Sequence, residues 1–156
     1  MASLEDQLRE ELEKDDQADY SALVKRFGSD ALPDLERLVR ENDPGMASQA
    51  AYVAGLIAAP GSHDVVSLAA ASSHEVVRVA AAYTLPLLPA NEAAPIAERL
   101  LADDDPGVRA RAVRFAAASK AATLARQVHA IASEDPDEAV RELAVQVIEQ
   151  SGLSQS

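Results

Sequence analysis

Few residues in this chain have the chemistry of a ligand, base or nucleophile. There are three histidines, His63, His74 and His129, and no cysteine. Without Cys there is no thiol nucleophile, disulfide or thiolate metal site, which suits a reducing compartment. Two histidines sit in similar tripeptides, Ser62-His63-Asp64 and Ser73-His74-Glu75, and each sets an imidazole beside a carboxylate, a donor pair that divalent metals accept. A closed site needs three or four ligands converging on one point. Helical periodicity puts His63 and His74 at opposite ends of one helix, where they do not converge. Both are expected at helix entrances, with no metal site. Carboxylates are plentiful, as in Asp15-Asp16 and Asp103-Asp104-Asp105. Neither run has the alternating ligands and glycine of a calcium loop. In loops and helix first turns such runs favour the helix dipole instead. No phosphate-binding glycine loop, nucleophile elbow or dinucleotide fingerprint occurs. The expectation is no catalytic residue and no cofactor.

What recurs at fixed spacing is an anchor: Met46-Ala47-Ser48-Gln49-Ala50, Val77-Arg78-Val79-Ala80-Ala81, Val108-Arg109-Ala110-Arg111-Ala112 and Val140-Arg141-Glu142-Leu143-Ala144. Its starts at 46, 77, 108 and 140 are 31, 31 and 32 residues apart, the period of a repeat built from two helices. Three residues before each anchor stands Asp43, His74, Asp105 or Asp137. An Asp there accepts a bond from a free backbone N–H, and Pro44 and Pro106, at the first helical position, give up no needed donor. Pro136 precedes its Asp instead. Each anchor therefore opens a helix, with its Val and the Ala four residues on along one face.

A second amphipathic helix precedes each anchor, marked by apolar residues at spacings of three and four: Leu35/Leu38/Val39, Val65/Val66/Leu68/Ala69, Ile96/Ala97/Leu100/Leu101 and Leu124/Ala125/Val128/Ile131. Asp30 and Asn91 are the expected N-caps of two of these. Breaks fall at Pro60-Gly61-Ser62, from Pro86 to Pro89, and at Ala118-Ser119-Lys120. Residues 1–28 follow another pattern. Leu4, Leu8 and Leu12 suggest one helix, and Tyr20, Leu23, Val24 and Phe27 a second, stopped by Gly28. A terminal unit must cover its neighbour's open face, so residues 1–28 read as an acidic helical cap, 31–151 as the repeats and 152–156 as a frayed tail. The expectation is an all-α solenoid of about four helical hairpins in one domain, 1–156.

Two helices per 31 or 32 residues, with Asp-Pro before Val-Arg-x-x-Ala, resemble the HEAT-repeat family, in a short bacterial form similar to bilin-lyase-type repeats. The first repeat departs from the pattern at Met46-Ala47 and the second at His74. The resemblance implies an architecture and says little about activity. It also implies a structural use for Arg78, Arg109 and Arg141, since Arg at this position in HEAT-like stacks pairs with an Asp of a neighbouring repeat; phosphate binding is the alternative. HEAT-type hydroxylases bind iron through several His-Glu dipeptides, and this chain has one, His74-Glu75. HEAT-like glycosylases bind DNA, and the one basic stretch here runs through Arg109, Arg111, Arg114, Lys120 and Arg126.

Solenoids bind along a face formed by one helix of each pair, and the resemblance implies that this is the anchor helix. Counting the anchor Val as zero, positions zero, four, seven and eight face the core, as in Val108, Ala112, Phe115 and Ala116. Positions two, three and six face the groove. Position six reads Tyr52, Tyr83, Arg114 and Gln146. Tyr and Arg dominate interface energetics. The expected partner-binding residues are Gln49, Tyr52, Tyr83, Arg111, Arg114 and Gln146. The competing expectation is that both tyrosines lie over small Ala side chains and fill the stack.

Composition bounds the remaining choices. The 156 residues are 48% hydrophobic, 26% charged and 3% aromatic, with Ala supplying much of the apolar content. Ala is the best helix former and lets helices approach closely. The charged N-terminus has no signal-peptide core and no apolar run spans a bilayer, so a cytoplasmic protein off the membrane is expected. The net charge is −12, which repels a phosphate backbone and argues against nucleic acid as a partner. The expected function is a non-catalytic protein-binding scaffold or adaptor, its protein partner basic if the acid is used. The alternatives are an acidic stoichiometric inhibitor of the immunity type, holding a basic enzyme, and a lyase- or hydroxylase-like enzyme. Oligomeric state is left open.

Overall fold

The protein, seen in a computed structural model, is described for residues 1–153, with the backbone alone at Asp15. Its α-helices are α1 Leu4–Leu12, α2 Tyr20–Phe27, α3 Leu32–Arg40, α4 Pro44–Ile57, α5 Ser62–Ala70, α6 Glu75–Thr84, α7 Ala90–Leu101, α8 Pro106–Ser119, α9 Ala122–Glu134 and α10 Glu138–Ser151. The described residues contain no strand. They divide into two compact units, Met1–Leu88 and Pro89 onward.

In the first unit α3/α4 and α5/α6 form two helical hairpins. They are stacked so that α3 lies against α5 and α4 against α6, while α1 and α2 pack on α4. In the second unit α7/α8 and α9/α10 repeat the scheme, α7 against α9 and α8 against α10. This is the layering of an all-α solenoid, built from the predicted anchors. Met46, Val77, Val108 and Val140 are buried, as are Ala50, Ala81, Ala112 and Ala144 one turn on. Phe115 and Ala116 are buried at positions seven and eight. Small residues set the spacing. A Cβ on Gly55 of α4 would lie 2.4 Å from the Cβ of Thr84 on α6, so a side chain at 55 is incompatible with the present approach of those helices.

The helix starts follow the predicted chemistry at three anchors. Oδ1 of Asp43, Asp105 and Asp137 accepts from the N–H of Met46, Val108 and Val140 at 3.1, 3.0 and 3.0 Å. At the fourth, His74 makes no such bond.

Two expected caps are corrected. Asp30 lies in a 3-10 turn, Gly28–Ala31, and α3 starts from Ala31 with no side-chain cap. The turn already has near-helical dihedrals, so the extended position a capping side chain needs is missing. Asn91 lies inside α7, whose cap position is held by Pro89. The break expected over 118–120 shrinks to its last residue: α8 runs through Ser119 and ends on Lys120 in the left-handed conformation, φ 53°. Gly152 closes α10 at φ 64°, and Leu153 is buried with its carbonyl 3.0 Å from His129 Nε2. Ser154 to Ser156 lie outside the described residues.

Candidate functional site

In the first unit, side chains from three helices line an open groove of about 370 Å³. α4 contributes Ser48, Gln49 and Tyr52, α6 contributes Val76, Val79, Ala80 and Tyr83, and α2 contributes Tyr20. The α6 set falls at i, i+3, i+4 and i+7, one stripe of a helix. The stripe is apolar yet open: Tyr83 is 54% exposed and Val76 48%. Tyr52 is half-buried, with its ring edge-on to Tyr20 at 5.4 Å between centroids and 74° between planes, a favoured geometry for aromatic pairs.

Gln49, Tyr52 and Tyr83 thus come together as the position count predicts, with Tyr20 and Val76 added. Val76 was legible, three residues before Val79 and seven before Tyr83 on the same helix. Tyr20 was not, because residues 1–28 carry no repeat register from which its docking on α4 could be read. Arg111, Arg114 and Gln146 belong to the second unit. Arg114 and Gln146 are exposed and Arg111 is half-buried. Arg114 lines a separate groove of about 270 Å³ with Ala117, Ala118, Val147, Gln150 and Ser151.

The recurring arginines hold the loops before their own helices. Nη1 of Arg78, Arg109 and Arg141 donates to the carbonyl six residues earlier, on Ser72, Asp103 and Asp135, at 3.0, 2.9 and 2.6 Å. Arg109 also donates to Asp104 O at 3.0 Å. It forks onto Asp135 of the next repeat, Nε to Oδ2 and Nη2 to Oδ1, both at 2.8 Å. Both partners are buried, Arg109 8% and Asp135 6% exposed. Burial pushes the Asp135 carboxyl up, but Arg109, the Asp137 N–H and nearby Arg141 together hold it below the usual carboxylate range. Arg109 is held above its ordinary value, chiefly by its bond to Asp135. The resemblance implied this structural pairing, and at Arg109 the geometry fits it.

The first repeat has Ala47 where the arginine stands and ties its loop differently. Arg9 of α1 forks onto Glu41, Nη1 to Oε2 at 3.0 Å and Nη2 to Oε1 at 2.5 Å. The hydrogen bond from Arg9 pulls the Glu41 carboxyl down.

The histidines are dispersed. His63 Nε2 lies 3.2 Å from its neighbour Asp64. His74 Nε2 lies 3.1 Å from Asn42 Oδ1, bridging the α5–α6 and α3–α4 loops. No group of three or more His, Asp or Glu side chains among the described residues is placed to hold a metal ion. No described helix is long and apolar enough to cross a membrane.

A family model of HEAT repeats matches residues 62–149, more than half of the chain. The chain belongs to the HEAT-repeat family. The match starts at the first residue of α5 and ends within α10, taking in the three hairpins whose anchors read Val-Arg. The α3/α4 hairpin falls outside it, although its helices pair in the same way. HEAT repeats generally act as protein-interaction scaffolds, and the family is typically non-catalytic. No curated protein matches the chain.

Proposed function

We propose that this HEAT-repeat protein is a non-catalytic scaffold or adaptor that receives a protein partner on the α4–α6 face, with Gln49, Tyr52 and Tyr83 as contacts. Arg111, Arg114 and Gln146 are proposed as contacts contributed by α8 and α10 of the second unit. The observation that supports this reading most is the open stripe of Val76, Val79, Ala80 and Tyr83. Its two ends, Val76 and Tyr83, are exposed, and Val79 and Ala80 between them are half-buried. Exposed apolar surface of this kind marks interaction sites, and aromatic residues carry most binding energy where they are anchored.

The two position-six tyrosines should separate. Tyr83 is more than half exposed, so Tyr83→Ala leaves the melting temperature within about 2 °C. Tyr52→Ala removes the edge-on partner of Tyr20 and lowers it by several degrees. With the full chain as bait in an extract of its own cells, proteins captured by the wild type are compared with those captured by Tyr83→Ala. Loss of specific proteins from a variant that still folds supports the reading. An unchanged captured set refutes it.

A further inference from the structure

We propose that the partner enters the groove with a cationic side chain, an arginine or lysine, set beside an apolar one. The inference rests on the scaffold reading and deepens it by naming the chemistry of the segment bound.

The chain has five aromatic residues, three Tyr and two Phe, and no Trp. All three tyrosines line this one groove. Tyr20 and Tyr52 stand at 74° to one another, so they form two walls meeting near a right angle, and Tyr83 adds a ring from α6. Aromatic faces attract cations, and rings gathered around one space are the usual means of holding an ammonium or guanidinium group. None of the lining residues is charged. Val76, Val79 and Ala80 offer an apolar strip suited to the aliphatic stem of Lys or Arg and to a neighbouring apolar side chain.

The surrounding charge favours the same occupant. Residues 1–88 carry 15 acidic and 7 basic side chains. Most of the bases are already engaged: Arg9 with Glu5 and Glu41, Lys14 with Glu11, Arg37 with Glu5 and Asp34, and Arg40 with Glu36. Arg26 bonds to Gln7 and lies over the Phe27 ring, and Arg78 is bound to its loop carbonyl. Along the chain, Tyr20 follows exposed Asp16 and Asp19, and Val76 follows exposed Glu75. An acidic unit around a tyrosine-lined groove attracts a basic segment and repels an acidic one.

The test uses a library of random peptides displayed on phage. It is selected against the full chain and, in parallel, against Tyr83→Ala. Peptides retained by the wild type and lost with the variant should share an Arg or Lys next to a Leu, Ile, Val, Met or aromatic residue. A synthetic copy with that Arg replaced by citrulline, or that Lys by norleucine, should bind about tenfold more weakly by calorimetry. The charged peptide should also weaken as salt rises, while the neutral one does not. If Tyr83-dependent peptides emerge without a basic residue, or if citrulline binds as well as arginine, the cation inference is overturned while the docking face stands. If no peptide depends on Tyr83, both fall.

Discussion

Replacing Asp135 by Ala tests the part of the fold that the repeat pattern makes most specific. The carboxylate accepts two bonds from Arg109 at 2.8 Å and one from the Asp137 N–H at 2.9 Å. Removing it leaves a guanidinium, only 8% exposed, with the carbonyls of Asp103 and Asp104 as its remaining acceptors. Stranding one member of a buried pair costs about 3–5 kcal/mol. In a chain of this length each kcal/mol moves the midpoint by about 2–4 °C, so far-UV circular dichroism should show melting lowered by about 6–20 °C. The double variant Arg109→Met/Asp135→Leu should lose less than the two single changes together, because no charge is left behind. Acid gives a second readout. Asp135's folded-state carboxyl titrates below the usual range, so its contribution is full above the unfolded value of about 3.9 and lost as pH falls through the lower folded value. Below about pH 4 the wild type should therefore lose its advantage over Asp135→Ala. A single variant costing under about 1 kcal/mol, the range of an exposed pair, would refute the reasoning.

Further outcomes follow from backbone geometry. Gly55→Ala should lower the melting midpoint, because the new methyl would overlap Thr84 and overpacking costs about 1–3 kcal/mol against a helix-propensity gain of about 1. Thr84→Ala, which keeps the offending Cβ, should not rescue it, and a neutral Gly55→Ala would show that α4 and α6 can separate freely. Ala58 and Lys120 end α4 and α8 in the left-handed region, at φ 49° and 53°. Ala58→Gly and Lys120→Gly should each stabilise the protein by about 0.5–1 kcal/mol in urea titrations, and a loss of stability at either would contradict that geometry.

The helices and their pairing were legible because the anchor repeats two signals at once, a capping Asp and an apolar i, i+4 pair. Asp43, Asp105 and Asp137 act as read. Asp30 and Asn91 mislead because a capping residue type is informative only where the backbone is extended. A preceding 3-10 turn removes that condition at Asp30, and Pro89 takes the position ahead of Asn91. Position counting found Gln49, Tyr52 and Tyr83 and, extended by one turn, reaches Val76. It could not find Tyr20, which joins the groove through tertiary packing of α2 on α4. The Arg9–Glu41 ion pair was invisible for the same reason: it joins a helix outside the repeat to a loop inside it.

The gathering of all three tyrosines in one groove has an optical consequence. Phenylalanine absorbs weakly in the near ultraviolet and the chain has no tryptophan, so nearly all its near-ultraviolet absorbance and emission arise from that one place. The ring centroids of Tyr20 and Tyr52, 5.4 Å apart, are close enough to exchange excitation and to shape the near-ultraviolet dichroism. The far-ultraviolet signal, by contrast, is spread over every helix. The molecule therefore carries two separate spectroscopic channels, one for the scaffold and one for the groove. A change confined to the second would show the α2–α4–α6 face rearranging while the helices persist, with no added label.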